Sequence, residues 1–270
     1  MTASEGPGPD RWRLAVEGAR VYEQFRVPAE FAPIARQLLA ALPPSPGDRI
    51  LDLACGTGIV ARLAAKASAA RIVGIDVNPA MIETAREATP EIEWRLGDAS
   101  ALPFAAGEFD LVYCQHGLQH FTDAAKVLAE AHRVLRPGGR LGVAVWQPGE
   151  DDFFTAAVGR AVGQHVGEDA ARIATHALGD EAYLRKLLES AGFQNVRITT
   201  VALERTLEDP EAEIDRHLGS SGKLSGIVAA LPADKRRAIV ETAVGILRRG
   251  SRERAATVRR GCYLAVGERS

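Results

Sequence analysis

The chain has 270 residues, 46% hydrophobic and 25% charged, with a formal net charge of −2. That length suffices for one large decorated domain or two modest ones, and the near-neutral balance supplies no global field drawing the protein to nucleic acid or an anionic membrane. Three scattered cysteines, Cys55, Cys114 and Cys262, with no histidine cluster beside them, point away from both a disulfide framework and a metal site.

Residues 1–10 are polar and rich in Gly and Pro, without the basic start and apolar run of a signal peptide. No stretch of about 18 apolar residues follows, so a cytoplasmic protein is expected. Helical patterning covers 12–25 and 29–42, with Pro28 expected to separate the two and the run Pro43-Pro44-Ser45-Pro46-Gly47 to end the second. From Arg49 the period changes. Short apolar strands at 49–54, 71–75, 92–96, 109–114 and 140–146 alternate with helices at 59–70, 79–88 and 123–135. This alternation predicts βαβ units and an α/β fold with a mostly parallel, Rossmann-like sheet, whose ligands lie at the carboxyl ends of its strands.

Beyond Trp146 the alternation is interrupted by helical material at 151–176. A helix at 181–191, ended by Gly192, leads to a strand at 193–203. Residues 208–254 are again helical, with breaks at 219–222 and Pro232, and a last strand covers 261–266. The expected organisation is lid helices over 1–45, a ligand-binding core over 46–147 and a first insertion over 148–180. A core helix and strand over 181–207, a second helical insertion over 208–258 and a last strand over 259–270 complete it. The N-terminal helices and both insertions have no strand partners of their own, so a helical cap over the strand ends is their expected use.

Four features fall at successive strand ends. The first is the turn Asp52-Leu53-Ala54-Cys55-Gly56-Thr57-Gly58, where Gly56 and Gly58 let the backbone turn sharply and approach a ligand. Asp76 ends the second strand, where a carboxylate can accept hydrogen bonds from both hydroxyls of a ribose. Gly97-Asp98-Ala99 follows the third strand, and Asp98 can accept from an adenine amino group. The segment from Gln115 to His120 follows the fourth. Gly56-Thr57-Gly58-Ile59-Val60-Ala61 also satisfies the dinucleotide fingerprint, which alone is weak evidence. Two details favour S-adenosylmethionine over NAD: Asp52 sets a carboxylate at the turn, suited to a sulfonium and an ammonium, and Gly97-Asp98 adds an adenine anchor.

With the further runs Leu102-Pro103-Phe104 and Val134-Leu135-Arg136-Pro137-Gly138-Gly139, the chain resembles the class I S-adenosylmethionine-dependent methyltransferases. It is most similar to the branch containing the ubiquinone and menaquinone methyltransferases and many natural-product tailoring enzymes. The resemblance is firm over 50–146. It implies a seven-stranded sheet with an antiparallel last strand, and S-adenosyl-L-methionine as cofactor with S-adenosyl-L-homocysteine as product. The implied cofactor set is Asp52, Ala54, Gly56 and Gly58 at the methionine end, Asp76 and Val77 at the ribose, and Asp98 and Ala99 at the adenine. Gln115 and Tyr22 join it, Tyr22 by reaching the cofactor's carboxylate.

His120 and His116 follow the fourth strand and are candidate bases for a proton on the acceptor, with packing against the cofactor turn as the plainer reading. Asp52 can equally pin the turn through backbone hydrogen bonds. Tyr22, Phe25 and Phe31 are candidate lid residues, and Trp146, Phe153 and Phe154 candidate acceptor-pocket walls, with core packing the alternative for all six. The basic stretch of Lys235, Arg236, Arg237, Arg248, Arg249, Arg252, Arg254, Arg259 and Arg260 reads as a solvated helical face, without the interleaved aromatics of a nucleic-acid site. The expected partner is a small-molecule acceptor, with neither nucleic acid nor membrane, and a homodimer is left open. The expected reaction is O- or C-methylation of a phenol, quinone or polyketide-like metabolite. The alternative is a protein of this fold that binds the cofactor without methylating, such as a cyclase, another lyase-like catalyst or a regulatory partner, and an NAD-dependent oxidoreductase comes third.

Overall fold

Strand residues alternate between two apolar faces, and this period-2 pattern lays down the sheet. A computed structural model of the protein describes residues 16–68, 70–147, 153–174, 178–250 and 256–270, so the expectations for 1–15, Arg252 and Arg254 lie outside the described residues. Seven strands, β1 (Arg49–Leu53), β2 (Arg71–Asp76), β3 (Glu93–Leu96), β4 (Phe109–Gln115), β5 (Leu135–Trp146), β6 (Phe193–Leu207) and β7 (Ala256–Arg269), form one sheet in the order β3-β2-β1-β4-β5-β7-β6. β7 runs antiparallel to both its neighbours, and the other pairings are parallel. The expected α/β, Rossmann-like class and the antiparallel last strand are both present.

Ile50, Tyr113, Ala144, Trp146, Cys262 and Leu264 face one side of the sheet. Helices α2 (Ala32–Ala41), α3 (Ile59–Ala67) and α4 (Pro79–Ala88) cover it, with Leu38, Val60 and Ile82 among the buried contacts. Leu51, Val73, Val112, Val143 and Val145 face the other side, under Val127 and Leu128 of α5 (Ala124–Val134) and Leu184 and Leu188 of α8 (Glu181–Ser190). The Tyr113 hydroxyl crosses to donate to the Leu42 carbonyl at 2.5 Å, tying the end of α2 to the sheet.

A third apolar cluster joins α6 (Phe153–His165), α9 (Pro210–Ser220), α10 (Gly222–Ala229) and α11 (Ala233–Gly250) through Val158, Ile214, Leu218, Leu224 and Ile239. α7 (Glu168–Ala174) joins it through Ala170. β6 and β7 extend beyond their expected limits to meet this cluster, contributing Leu207 and Val258.

Pro28 does not break the N-terminal helices. α1 (Val16–Val21) continues through a π-helical segment (Tyr22–Phe31) directly into α2, with Pro28 inside the π stretch. The wider turn leaves room where a proline ring would collide with the carbonyl four residues back. With about 4.4 residues per π turn, Tyr22, Arg26 and Phe31 fall on one face, whereas α winding would set Tyr22 and Phe31 on opposite sides. Their rings stack at 4.9 Å.

Candidate functional site

A cavity of about 560 Å³ opens along the carboxyl ends of β1, β2, β3 and β4 and is closed by the π segment, α9 and the start of β7. Of the expected cofactor-binding residues and candidate bases, all but Gly58 line it. Gly58 serves the turn from below. Its φ is +85°, and a Cβ there would come within 2.1 Å of the Trp94 ring, which also fills the space over Gly74. Gly56, with φ +55°, faces the cavity, and a Cβ there would find nothing nearer than the Tyr22 hydroxyl at 3.9 Å.

The acids hold the turn. Asp76 accepts from the Gly56 N–H at 2.8 Å through one oxygen and from the Asn78 N–H at 2.8 Å through the other. Burial pushes its carboxyl up, against those backbone hydrogen bonds. Asp52, only 1% exposed, accepts from the Ala61 N–H at 2.9 Å in the first turn of α3. Burial pushes Asp52 to about 7, only partly offset by that hydrogen bond. Asp52 pins the start of α3 through the backbone and also lines the cavity. Asp98 is exposed at the cavity rim and accepts from the Ser100 N–H at 2.8 Å.

This donor set fits S-adenosylmethionine better than a dinucleotide. The N–H groups of Gly56 and Ala61, which would greet a pyrophosphate at a helix start, already serve Asp76 and Asp52. Those N–H groups are therefore not free for a pyrophosphate, while the carboxyl groups of Asp52 and Asp76 leave acceptor oxygens at the cavity for ribose hydroxyls and an ammonium. Gln115 donates to the Phe31 carbonyl at 3.0 Å, while its buried Oε1 has no hydrogen-bond partner and stands in the cavity wall as a ready acceptor.

β4 ends in strain. His116 has φ +55° and Ala54, across from it at the end of β1, has φ +54°. Such left-handed residues cost about 1 kcal/mol or more and collect at functional sites. The His116 N–H donates to the Ala144 carbonyl at 2.7 Å, which fixes the bend. Its ring stacks on Trp146 at 3.9 Å, with Phe31 edge-on at 5.6 Å. Burial, then the nearby Arg260, drives the imidazole well below its ordinary range, so it stays neutral. His120 ends a short 3-10 turn (Leu118–His120) and lines the cavity half-buried.

Among the candidate aromatics, Tyr22, Phe31 and Trp146 line the cavity. Phe25 lies 38% exposed under Arg216, and Phe154 packs in the third cluster against His217, away from the lining. The basic stretch is not one helical face. Lys235, Arg237, Arg248 and Arg249 are exposed on α11, and Arg236 pairs with Asp215 at 2.9 Å. Arg259 and Arg260 lie on β7, where neighbouring side chains point to opposite faces. Arg259 meets Glu204 in solvent, while Arg260 turns inward and stacks on Trp146 at 3.8 Å.

Arg26, His217, Ser221 and Arg260 are lining residues that the sequence reading missed. The period-2 run Val258, Arg260, Cys262, Leu264 was the available signal, because an arginine in an inward series is buried unless the series breaks.

The methyltransferase-domain family profile matches residues 51–143. Nocamycin O-methyltransferase of Saccharothrix syringae is 34% identical over 202 residues, covering 68% of this chain and 71% of that protein. A demethylmenaquinone methyltransferase of Chlorobaculum parvum is 43% identical over 91 residues, 34% of this chain and 38% of its own. The alignments span from 38% to 57% of the first curated relatives. Phosphoethanolamine N-methyltransferase 2 of Haemonchus contortus, solved with S-adenosyl-L-methionine, shares the fold at a TM-score of 0.62 and 17% identity. That likeness covers 95% of this chain and 58% of that one.

Proposed function

Because the chain belongs to the class I S-adenosylmethionine-dependent methyltransferases, we propose that it moves a methyl group from S-adenosylmethionine to a small-molecule acceptor. The acceptor oxygen or carbon belongs to a phenol, quinone or polyketide-like compound of secondary metabolism. One observation carries this reading: a single cavity runs from the acidic strand ends to an aromatic and basic wall, so cofactor and acceptor share one space. The name of the Saccharothrix relative supports oxygen as the atom methylated.

In this reading Asp76 and Val77 hold the ribose, Asp98 and Ala99 the adenine, and Asp52, Ala54, Gly56, Gln115 and Tyr22 the methionine end. Gly58 acts through the turn. The family's cofactor supplies an electrophilic methyl, so alignment of the acceptor contributes much of the rate. His120 takes the proton of an acceptor that arrives protonated, and His116, held neutral, braces Trp146. The N-terminal helices and α9 act as the lid and cap. We place the work in the cytoplasm. The three cysteines are buried and free, in keeping with a reducing compartment, and no helix among the described residues is long and apolar enough to cross a membrane.

The test is turnover. Purified protein with S-adenosylmethionine and a panel of phenols, quinones and polyketide-like acids should give S-adenosylhomocysteine and a product heavier by one methylene in equal amounts. Tight cofactor binding with no S-adenosylhomocysteine from any acceptor would favour a non-methylating role for the same cavity.

A further inference from the structure

The π segment and the end of β4 bring to the cavity one buried hydrogen-bond acceptor and one buried donor that no protein group satisfies. The acceptor is Oε1 of Gln115. Nε2 of the same amide is committed to the Phe31 carbonyl at 3.0 Å, which leaves the oxygen unpaired. The donor is on Arg26, a lining residue. Its Nη2 donates to Glu30 at 3.0 Å, and its Nη1 reaches the Ser220 carbonyl at 3.4 Å and the Ser221 hydroxyl at 3.3 Å, both long. The buried Nε has no hydrogen-bond partner. The charge of Arg26 is answered by Glu30, so what remains over is a donor, not a net charge. Buried polar groups left without partners are costly and rare, which makes these two informative.

Both lie beside the turn that opens α3. The Tyr22 and Phe31 rings stack at 4.9 Å, and the Arg26 guanidinium lies 5.6 Å and 5.2 Å from their centres. Gln115 is tied to the carbonyl of the same Phe31, so Tyr22, Arg26, Phe31 and Gln115 form one continuous wall. The Tyr22 hydroxyl stands 3.9 Å from where a Gly56 side chain would begin. Burial pushes this phenol well above its ordinary range, so it stays protonated and can donate. Arg26 and Asp76 are both among the charges that act on it, which sets the guanidinium on the side of the turn and its acid. A wall with two donors and one acceptor, facing Asp52, is complementary to an amino-acid zwitterion: a carboxylate accepts, an ammonium donates.

Resting on the methyl-transfer reading above, we propose that Arg26 binds the cofactor, its Nε donating to the methionine carboxylate beside the Tyr22 hydroxyl while Gln115 Oε1 accepts from the ammonium. Glu30 and Ser221 then orient the guanidinium, and the π winding that admits Pro28 is what carries Arg26 to the same face as Tyr22. The planar, fixed donors of arginine suit this task in a way that a lysine ammonium does not.

The test is calorimetric, on the full chain, with three probes: S-adenosylmethionine, its decarboxylated analogue, which keeps the sulfonium and the amine, and methylthioadenosine, which lacks the amino-acid portion. The wild-type protein should prefer S-adenosylmethionine to the decarboxylated analogue by about tenfold or more, and Arg26→Met should erase most of that preference. Binding of the decarboxylated analogue and of methylthioadenosine should stay within about twofold of wild type, which a general disturbance of the fold would not allow. Arg26→Lys keeps a charge opposite Glu30, is milder for folding, and should still lose about fivefold of the preference, because the single amine must serve Glu30. This variant decides the matter if Arg26→Met does not fold. Equal losses for all three probes in both variants, or an undiminished preference in either folded variant, overturns the proposal. So does a wild-type protein that binds the decarboxylated analogue as tightly as S-adenosylmethionine. Failure of the wild-type protein to bind any of the three would refute the underlying cofactor reading instead, and the proposal with it.

Discussion

Gly58→Ala isolates what the second glycine of the turn does. An alanine at φ +85° carries a left-handed backbone cost of about 1–2 kcal/mol. Its Cβ would also stand 2.1 Å from one carbon of the Trp94 ring and 2.6 Å from the next, so the indole must move. Trp94 is only 5% exposed, and its Nε1 donates to the Thr89 carbonyl at 2.8 Å, which leaves it little freedom. Overpacking of this kind costs about 1–3 kcal/mol, so the total loss should be roughly 2–5 kcal/mol. Urea denaturation followed by far-ultraviolet circular dichroism measures it. In a Trp94→Leu background only the backbone cost should remain, and the cycle should show a coupling of about 1–3 kcal/mol. An equal cost of Gly58→Ala in both backgrounds, or a loss under about 0.5 kcal/mol in the wild type, would refute the packing role assigned to Gly58.

Gly56→Ala should behave differently: its φ of +55° and open surroundings imply about 1 kcal/mol of destabilisation, but its methyl enters the cavity, so cofactor affinity measured by calorimetry should fall at least tenfold. Unchanged affinity would move the methionine end elsewhere. Asp52 titrates at about 7 when folded and at about 3.9 when unfolded. Its raised value therefore supplies stability present below about pH 4 and lost as pH rises through 7, on the order of 4 kcal/mol. Denaturation curves of wild type and Asp52→Asn between pH 4.5 and 7.5 should converge or cross accordingly, whereas parallel curves would contradict a buried, neutralised Asp52. Tyr113→Phe removes the tie to Leu42 and should cost about 1 kcal/mol without altering cofactor binding. A neutral result in denaturation would show that α2 is held by packing alone.

The first four strands are legible because they are short, largely apolar runs bounded by helices or turns, and the candidate cofactor edge because Asp52, Gly56, Asp76 and Asp98 all fall at or just after strand ends. Such positions converge in space whatever the insertions do. The rest was less legible for three physical reasons. Pro28 was read as a helix breaker, yet a π segment absorbs it and brings Tyr22, Arg26 and Phe31 to one face. Arg259 and Arg260 fall in the expected last strand, yet their charges group by composition with the basic helix before them, whereas β7 turns one arginine out and the next in. Gly58 matched a ligand-binding pattern, but its neighbour is Trp94, a contact across 36 positions that no local spacing reveals.

Whether the strand-end acids hold S-adenosylmethionine is decided by calorimetric titration of the wild-type protein with S-adenosylmethionine, S-adenosylhomocysteine and NAD. Micromolar binding of the first two, absence of binding by NAD, and loss of binding in Asp76→Ala and Asp98→Ala are the predicted results. Binding of NAD alone, or cofactor affinity untouched by both substitutions, would contradict the account.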